Sequence, residues 1–133
     1  MDDISLTNAS QLLAEARARL KRLSPADADE AFRAGALLID IRSELQRERD
    51  GVIPGSRFVA RNVFEWRCDP RSHWNDPTIV ADPARQLIVI CGQGYQSSLA
   101  AATLRRFGFD TATDVIGGFE AWRAARLEIQ RNG

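Results

Sequence analysis

Residues Leu87 to Arg106 read LIVICGQGYQSSLAAATLRR, an apolar run that delivers Cys91 into a loop punctuated by Gly92 and Gly94, with a helix-forming stretch directly behind it. That order places a thiol where a helix N-terminus can ionise it. Glycines take φ > 0 without strain and lack a Cβ, so the N–H groups around Gly92 and Gly94 can turn toward one point and form an anion-binding nest. Ser97 and Ser98 suit the N-cap of a helix from Leu99 to Phe107, whose first N–H groups have no internal partners. A free cysteine titrates near ~8.5, and a helix N-terminus lowers that by about a unit or more. The nucleophilic thiolate is therefore the expected form of Cys91. A strand-end cysteine is otherwise a common apolar filler. The two glycines, the two serines and the following helix weigh toward chemistry. Tyr95, inside the loop, is expected to cover the pocket and exclude bulky or strongly hydrated ligands.

The elements that position this loop follow from pattern. Leu87-Ile88-Val89-Ile90 has no polar residue and is too short for a helix, so it reads as a strand buried on both faces of a parallel sheet. Cys91 then stands at the strand's carboxyl end, the edge where open α/β sheets bind ligands. Residues 9–23 place Leu12, Leu13, Ala16, Leu20 and Leu23 at helical spacing, with Arg17, Arg19, Lys21 and Arg22 on most of the other face. Residues 1–23 read as an amphipathic helical extension docked on a domain spanning 24–133, with a partner-binding or dimerising arm as the alternative. Ser24-Pro25 opens a second helix ending near Gly35, and Ala36 to Asp40 is a short buried strand closing on a carboxylate. Ser43 to Asp50 reads as a solvated helical turn, Gly51 to Gly55 as a turn cluster, and Arg57 to Ala60 as a strand. Asn62 is expected to cap a short helix through Arg67, followed by a loop to about Arg85. Ala112 to Ile116 is a final strand, and Gly117-Gly118 leads into a helix carrying Phe119, Trp122 and Leu127. Repeated β-to-α crossovers imply an α/β fold with an open, mostly parallel central sheet and helices on both faces.

Composition narrows the partners. The chain has 133 residues, 44% of them apolar, which suits one globular domain with a real core. Eighteen basic and eighteen acidic residues give zero formal charge, so no basic field recruits nucleic acid or anionic lipid. Small molecules or a protein partner are expected instead. Neither a membrane span nor a secretory leader is apparent, and the expected location is the cytoplasm. The two cysteines, Cys68 and Cys91, form neither a CxxC pair nor a metal-ligand set, so no metal and no disulfide are expected.

Four ordered segments resemble those of rhodanese (sulfurtransferase) domains, over about Ser24 to Arg126: LLIDIRSELQRERDGVIPGS, CGQGYQSS, LRRFGFD and VIGGFEAW. In the first, Asp40, Arg42, Glu48, Gly51, Ile53, Pro54 and Gly55 fall where that family's Asp-x-Arg and Gly-His-Ile-Pro-Gly patterns lie, with Val52 in place of the usual His. The resemblance implies a rhodanese-like fold and no organic cofactor. It makes Cys91 the persulfide carrier and Gly92, Gln93, Gly94, Tyr95, Gln96 and Ser97 the loop that cradles substrate. Sulfur would pass from thiosulfate or a persulfide donor to cyanide or a thiol, including a protein acceptor. Many members of the family carry Arg or Lys in this loop, whereas here it is uncharged, which favours less charged donors.

Arg42, Arg61 and Arg67 are the cations expected near the pocket mouth. Arg42 reads first as a structural partner of Asp40 or Glu48, and only Arg61 joins the candidate site. Cys68 reads as a bystander loop thiol, His73 as an exposed loop residue, and Trp66 and Trp122 as core or pocket wall. The alternative to an enzyme is a catalytically silent rhodanese-like module that binds a partner protein. A cysteine phosphatase is excluded by spacing: it needs Cys-x5-Arg, and Ser97 holds that place.

Overall fold

Two apolar four-residue runs make the centre of the molecule. The computed structural model describes residues 5–131, so residues 1–4 and 132–133 of the expected extension and domain lie outside the described residues. β1 (Leu37–Asp40) and β3 (Leu87–Ile90) are buried at every residue and pair in parallel, Leu37 opposite Leu87 through Asp40 opposite Ile90. The short β2 (Arg57–Phe58) flanks β1, and β4 (Thr113–Asp114) flanks β3. The resulting sheet is parallel throughout, in the order β2-β1-β3-β4.

Among the described residues the helices are α1 (Ala9–Ala18), α2 (Pro25–Arg33), α3 (Glu44–Asp50), α4 (Phe64–Cys68), α5 (Pro77–Val80), α6 (Gln96–Arg106) and α7 (Gly118–Ala124). Alternate strand residues point to opposite faces. Leu37, Ile39, Leu87 and Val89 pack with Phe64, Ile79, Ala101 and Leu104 of α4, α5 and α6. Leu38, Ile88 and Ile90 pack on the other side with Ala28 of α2 and with Phe119 and Trp122 of α7. Fully burying one such Leu, Ile or Phe stabilises the fold by roughly 1.5–3 kcal/mol. The sheet is therefore rigid where β3 hands over to Cys91.

Local signals set most helix starts. Ser24 caps α2 through the Asp27 amide with Pro25 in the first turn, as the sequence predicts. Ser43 and Gln46 form a capping box on α3. Other expectations need correcting. The helix expected over 9–23 stops at Ala18, because the chain is drawn to the edge of β4: Leu23 N–H donates to Asp114 O at 3.1 Å and Ile116 N–H to Leu23 O at 2.8 Å. Leu12, expected on the apolar face, is 45% exposed, while Ala16 is buried where α1 lies along α6. Asn62 caps nothing; a single 3-10 turn, Arg61–Val63, runs straight into α4 without a side-chain cap. The loop expected before Arg85 contains α5, capped by Asp76, which accepts from the Thr78 amide at 3.0 Å. Trp122 is core, with its indole N–H on Glu128 O at 3.1 Å, but Trp66 is exposed. α7 ends before Leu127, which packs against the second core from beyond it. No helix among the described residues is long and apolar enough to cross a membrane.

Candidate active site

Cys91 follows the last residue of β3, and its Sγ receives two backbone amides: Gly94 N–H at 3.1 Å and Ser97 N–H at 3.4 Å. The loop owes this shape to contacts on its carbonyl side. Phe119 N–H donates to Cys91 O at 2.7 Å and Glu120 N–H to Gly92 O at 3.1 Å, so α7 holds the oxygens and leaves the amides free to converge. Among the described residues, the amides of Gly92, Gln93 and Tyr95 donate to no protein group. The Gly94 and Ser97 amides favour negative charge on the sulfur, and loop N–H groups without a protein partner are available to a bound oxyanion.

The crossing with α7 is tight enough to demand glycine. Gly118 has φ +62, and a Cβ on it would stand 2.5 Å from Cys91 O and 2.8 Å from Gln93 N. Ser97 and Ser98 do not cap α6, which starts a residue earlier at Gln96. They lie in its buried first turn, and each hydroxyl donates to Asp114 Oδ2 at 2.7 Å. The helix is anchored to β4 through this carboxylate, and its second amide is thereby aimed at the sulfur.

Cys91 is 7% exposed, at the base of an open hollow of about 400 Å3. Gly92, Gln93, Tyr95 and Gln96 line one side. Gly94 and Ser97 reach the sulfur only through their amides. Gln93 Nε2 donates to Glu120 Oε1 at 3.3 Å, and Tyr95 stands half exposed on the rim. The hollow is also lined by Arg42, Gln46, Arg49 and Asp50, and by Glu120 beside Gln93. Two cations face two carboxylates, so the walls carry no formal charge excess.

Arg61, a candidate from the sequence, stands to one side of the cysteine. It lines two neighbouring hollows but not the one over Cys91, and its Nη1 is engaged by both oxygens of Glu65 at 3.2 Å. An acid four residues on, on the same face of the helical turn, captures it. Arg67 also points elsewhere, donating to Trp74 O at 2.9 Å. Arg42 is the structural partner that the sequence suggests: its Nε and Nη2 grip Asp40 at 3.1 and 2.9 Å, and Nη2 also reaches Gly51 O at 2.8 Å. Its guanidinium lies 3.6 Å above the Phe119 ring, and its Nη1 is buried without a partner beside the hollow.

Sequence reasoning missed Arg49. The run 43–50 reads as solvated, yet Gln46, Arg49 and Asp50 are three and four residues apart on α3 and share the face turned to the hollow. That spacing was the available signal. Arg49 bonds Asp50 at 2.9 Å and holds its carboxyl below the usual range.

The other candidates fall away. His73 is exposed in the loop after α4 and does not line the hollow. Cys68 is not a loop residue: it closes α4, fully buried, and burial, with the charges of Asp76 and Glu65 adding to it, pushes its thiol up to about 12. The described residues gather no cluster of His, Cys, Asp and Glu suited to a metal ion.

Residues 24–125 match the model of the rhodanese-like domain. The thiosulfate sulfurtransferase GlpE of Ectopseudomonas mendocina is 38% identical over 104 residues, covering 78% of this chain and 85% of that protein. Its namesake from Stutzerimonas stutzeri is 35% identical, covering 77% and 84%. Among solved structures, a Rhodopseudomonas palustris protein described as of unknown function and a possible tyrosine phosphatase superposes with a TM-score of 0.86 at 32% identity, over 98% of this chain and 99% of that one. The polysulfide-sulfur transferase homodimer of Wolinella succinogenes shares the fold, with a TM-score of 0.67 at 22% identity over 93% and 87% of the chains.

Proposed function

The chain belongs to the rhodanese-like domain family, and from that premise we propose that Cys91 carries sulfur between a sulfane donor and a nucleophilic acceptor. It is an enzyme of the sulfurtransferase class, as are the relatives that match over most of its length. The observation that carries the role of Cys91 is its Sγ on the Gly94 and Ser97 amides at the base of an open hollow.

The reaction has two halves. The Cys91 thiolate attacks the outer sulfur of thiosulfate, the S–S bond breaks, and sulfite leaves with the bonding electron pair. The persulfide left on Cys91 keeps its negative charge on the outer sulfur, where loop amides that donate to no protein group, those of Gly92, Gln93 and Tyr95, are the donors we assign to it. Cyanide or a thiolate then attacks that outer sulfur, and the Cys91 thiolate departs as the leaving group. With a persulfide donor, a thiolate leaves in place of sulfite. The chemistry uses no metal or organic cofactor. Balanced walls, with Arg42 and Arg49 facing Asp50 and Glu120, suit weakly charged or zwitterionic donors at least as well as the thiosulfate dianion.

The phosphatase description of the Rhodopseudomonas palustris protein does not carry over. An oxyanion-gripping guanidinium would have to stand at position 97, where Ser97 is instead committed to Asp114. The alternative of a silent partner-binding module has the uncharged loop in its favour. We assign the protein to the cytosol, where two free cysteines stay reduced, with small molecules or an acceptor protein as partners and no role for nucleic acid. The deciding experiment supplies thiosulfate and, separately, a small-molecule persulfide. It reads thiocyanate release with cyanide and the intact mass of one sulfur added on Cys91. Absence of the adduct with every donor establishes the silent module instead.

A further inference from the structure

The match to the family begins at residue 24, yet two side chains from before it reach the cysteine loop. Arg17 Nη2 donates to Gly94 O at 2.7 Å, and Arg22 Nη2 donates to the same oxygen at 3.1 Å. Each guanidinium is itself fixed. Arg17 Nε donates to Ser98 Oγ at 3.1 Å, and Arg22 spans both oxygens of Asp114 at 2.9 and 3.2 Å. Asp114 is fully buried and also accepts the Ser97 and Ser98 hydroxyls. Two cations and one carboxylate thus stand behind a loop that has no charge of its own.

We propose that Arg17 and Arg22 are positioning residues for the cysteine loop, gripping the Gly94 carbonyl so that the surrounding amides stay turned toward the Cys91 sulfur. The consequence for turnover rests on the reading of Cys91 as the sulfur carrier; the grip itself does not. In a trans peptide the C=O and N–H point in opposite directions. Drawing Gly94 O back onto the guanidiniums therefore turns the Tyr95 N–H toward the cradle. Gly94 has φ +87 and no Cβ, so the peptide that follows it is the one most free to turn over. Turned over, it would aim a carbonyl oxygen at a thiolate or a bound anion, in place of an N–H. Two charge-assisted hydrogen bonds on that oxygen oppose the flip. The packing is close: a Cβ at Gly94 would stand 2.8 Å from Gly117 N and 3.3 Å from Arg22 Nη2. On the open side Arg42, Arg49, Asp50 and Glu120 offset one another, so the unbalanced positive charge near the sulfur comes from behind.

The test uses the full chain with Arg17→Met, Arg17→Lys and Arg22→Lys; the last keeps a cation beside buried Asp114 so that the fold survives. Iodoacetamide alkylation of Cys91 is followed by peptide mass across pH, alongside kcat and KM for thiosulfate with cyanide. Arg17→Met is expected to slow alkylation at neutral pH about three- to tenfold, less than the full factor for one lost charge-assisted hydrogen bond because the bond acts on the sulfur only through the Gly94–Tyr95 peptide. Its alkylation profile moves to higher pH, and kcat falls more than KM rises. Arg17→Lys recovers part of each change, because one N–H can still reach Gly94 O. The proposal is overturned if Arg17→Met and Arg22→Lys both follow the wild-type alkylation profile at wild-type kcat. If no donor loads sulfur on the wild type while alkylation still depends on Arg17, the grip stands and the sulfur-carrier reading falls.

Discussion

The two cysteines sit in the same apolar cluster on one face of the sheet, and both are buried. Cys68 ends a short helix with protein on all sides, and charging it means placing a thiolate among apolar groups and near Asp76 and Glu65; its thiol is pushed up to about 12. Cys91 has nearly as little surface, yet it ends a strand, receives two amides and opens onto a hollow. Burial is the leading cause that holds the Cys68 thiol in its neutral form, and what sets Cys91 apart is not its exposed area. The difference lies in the two backbone N–H groups turned onto its sulfur and the hollow above it.

The largest expected effect breaks the comparison outright. Cys91→Ser abolishes sulfur loading while the circular dichroism spectrum and melting curve stay close to wild type. Cys68→Ser retains loading and loses about 1–3 kcal/mol in urea unfolding, because a hydroxyl is left without a partner in an apolar site. Loading that survives in Cys91→Ser would overturn the assignment.

Gly118→Ala attacks the cradle without touching the sulfur. The methyl group would press on Cys91 O and Gln93 N at a positive φ. We expect activity to fall at least about tenfold and stability by about 1–3 kcal/mol. Wild-type kcat in this variant would mean that the α7 crossing does not shape the loop.

Asp76→Asn probes the other thiol's surroundings. Burial raises the Asp76 carboxyl, but the Arg57 hydrogen bond, the Thr78 amide and the charges of Arg57 and Arg67 outweigh it and hold the group below its usual value. Stability from this pairing is fully present above the unfolded carboxyl near ~3.9 and is lost as pH falls through the lowered folded value. The variant is expected to be about 1–3 kcal/mol less stable at neutral pH, with a flatter acid dependence of its urea midpoint below about pH 4. Native Cys68 stays closed to iodoacetamide in it, since burial is the leading cause of its inertness. Ready labelling would show instead that the Asp76 charge was decisive.

Arg61→Ala has the smallest effect. Its partner is Glu65, part exposed, so the change costs about 0.5 kcal/mol or less and leaves KM for thiosulfate within about twofold of wild type. A large rise in KM would return Arg61 to the site.

The legible parts of the sequence were those in which neighbours along the chain decide the outcome. Leu87–Ile90 as a fully buried strand, Ser24-Pro25 as a helix start, and Cys91 at a strand's end in a glycine loop all follow from local pattern. What stayed hidden depends on contacts distant in sequence. Ser97 and Ser98 look like caps until Asp114 is brought beneath them. Arg17 and Arg22 look like a solvated face until the chain turns at Ala18 and carries them to Gly94. Trp66 has the spacing of a core residue, but the helix that carries it, Phe64–Cys68, is too short to bury more than one side. Arg61 looks like a free pocket cation until its i to i+4 pairing with Glu65 is seen.

The backbone pairing of Leu23 with Val115 reaches beyond the loop it helps to carry. An outermost strand with bare N–H and C=O groups is a template on which a second molecule can extend the sheet, and such borders seed aggregation. Lys21 to Leu23 seal that border, with Lys21 O accepting the Thr113 hydroxyl and Leu23 taking up the main chain of Asp114 and Ile116. Expression trials that trim the chain to the segment matching other family members would strip this cover. They would yield a stickier protein for a reason unrelated to its catalytic chemistry.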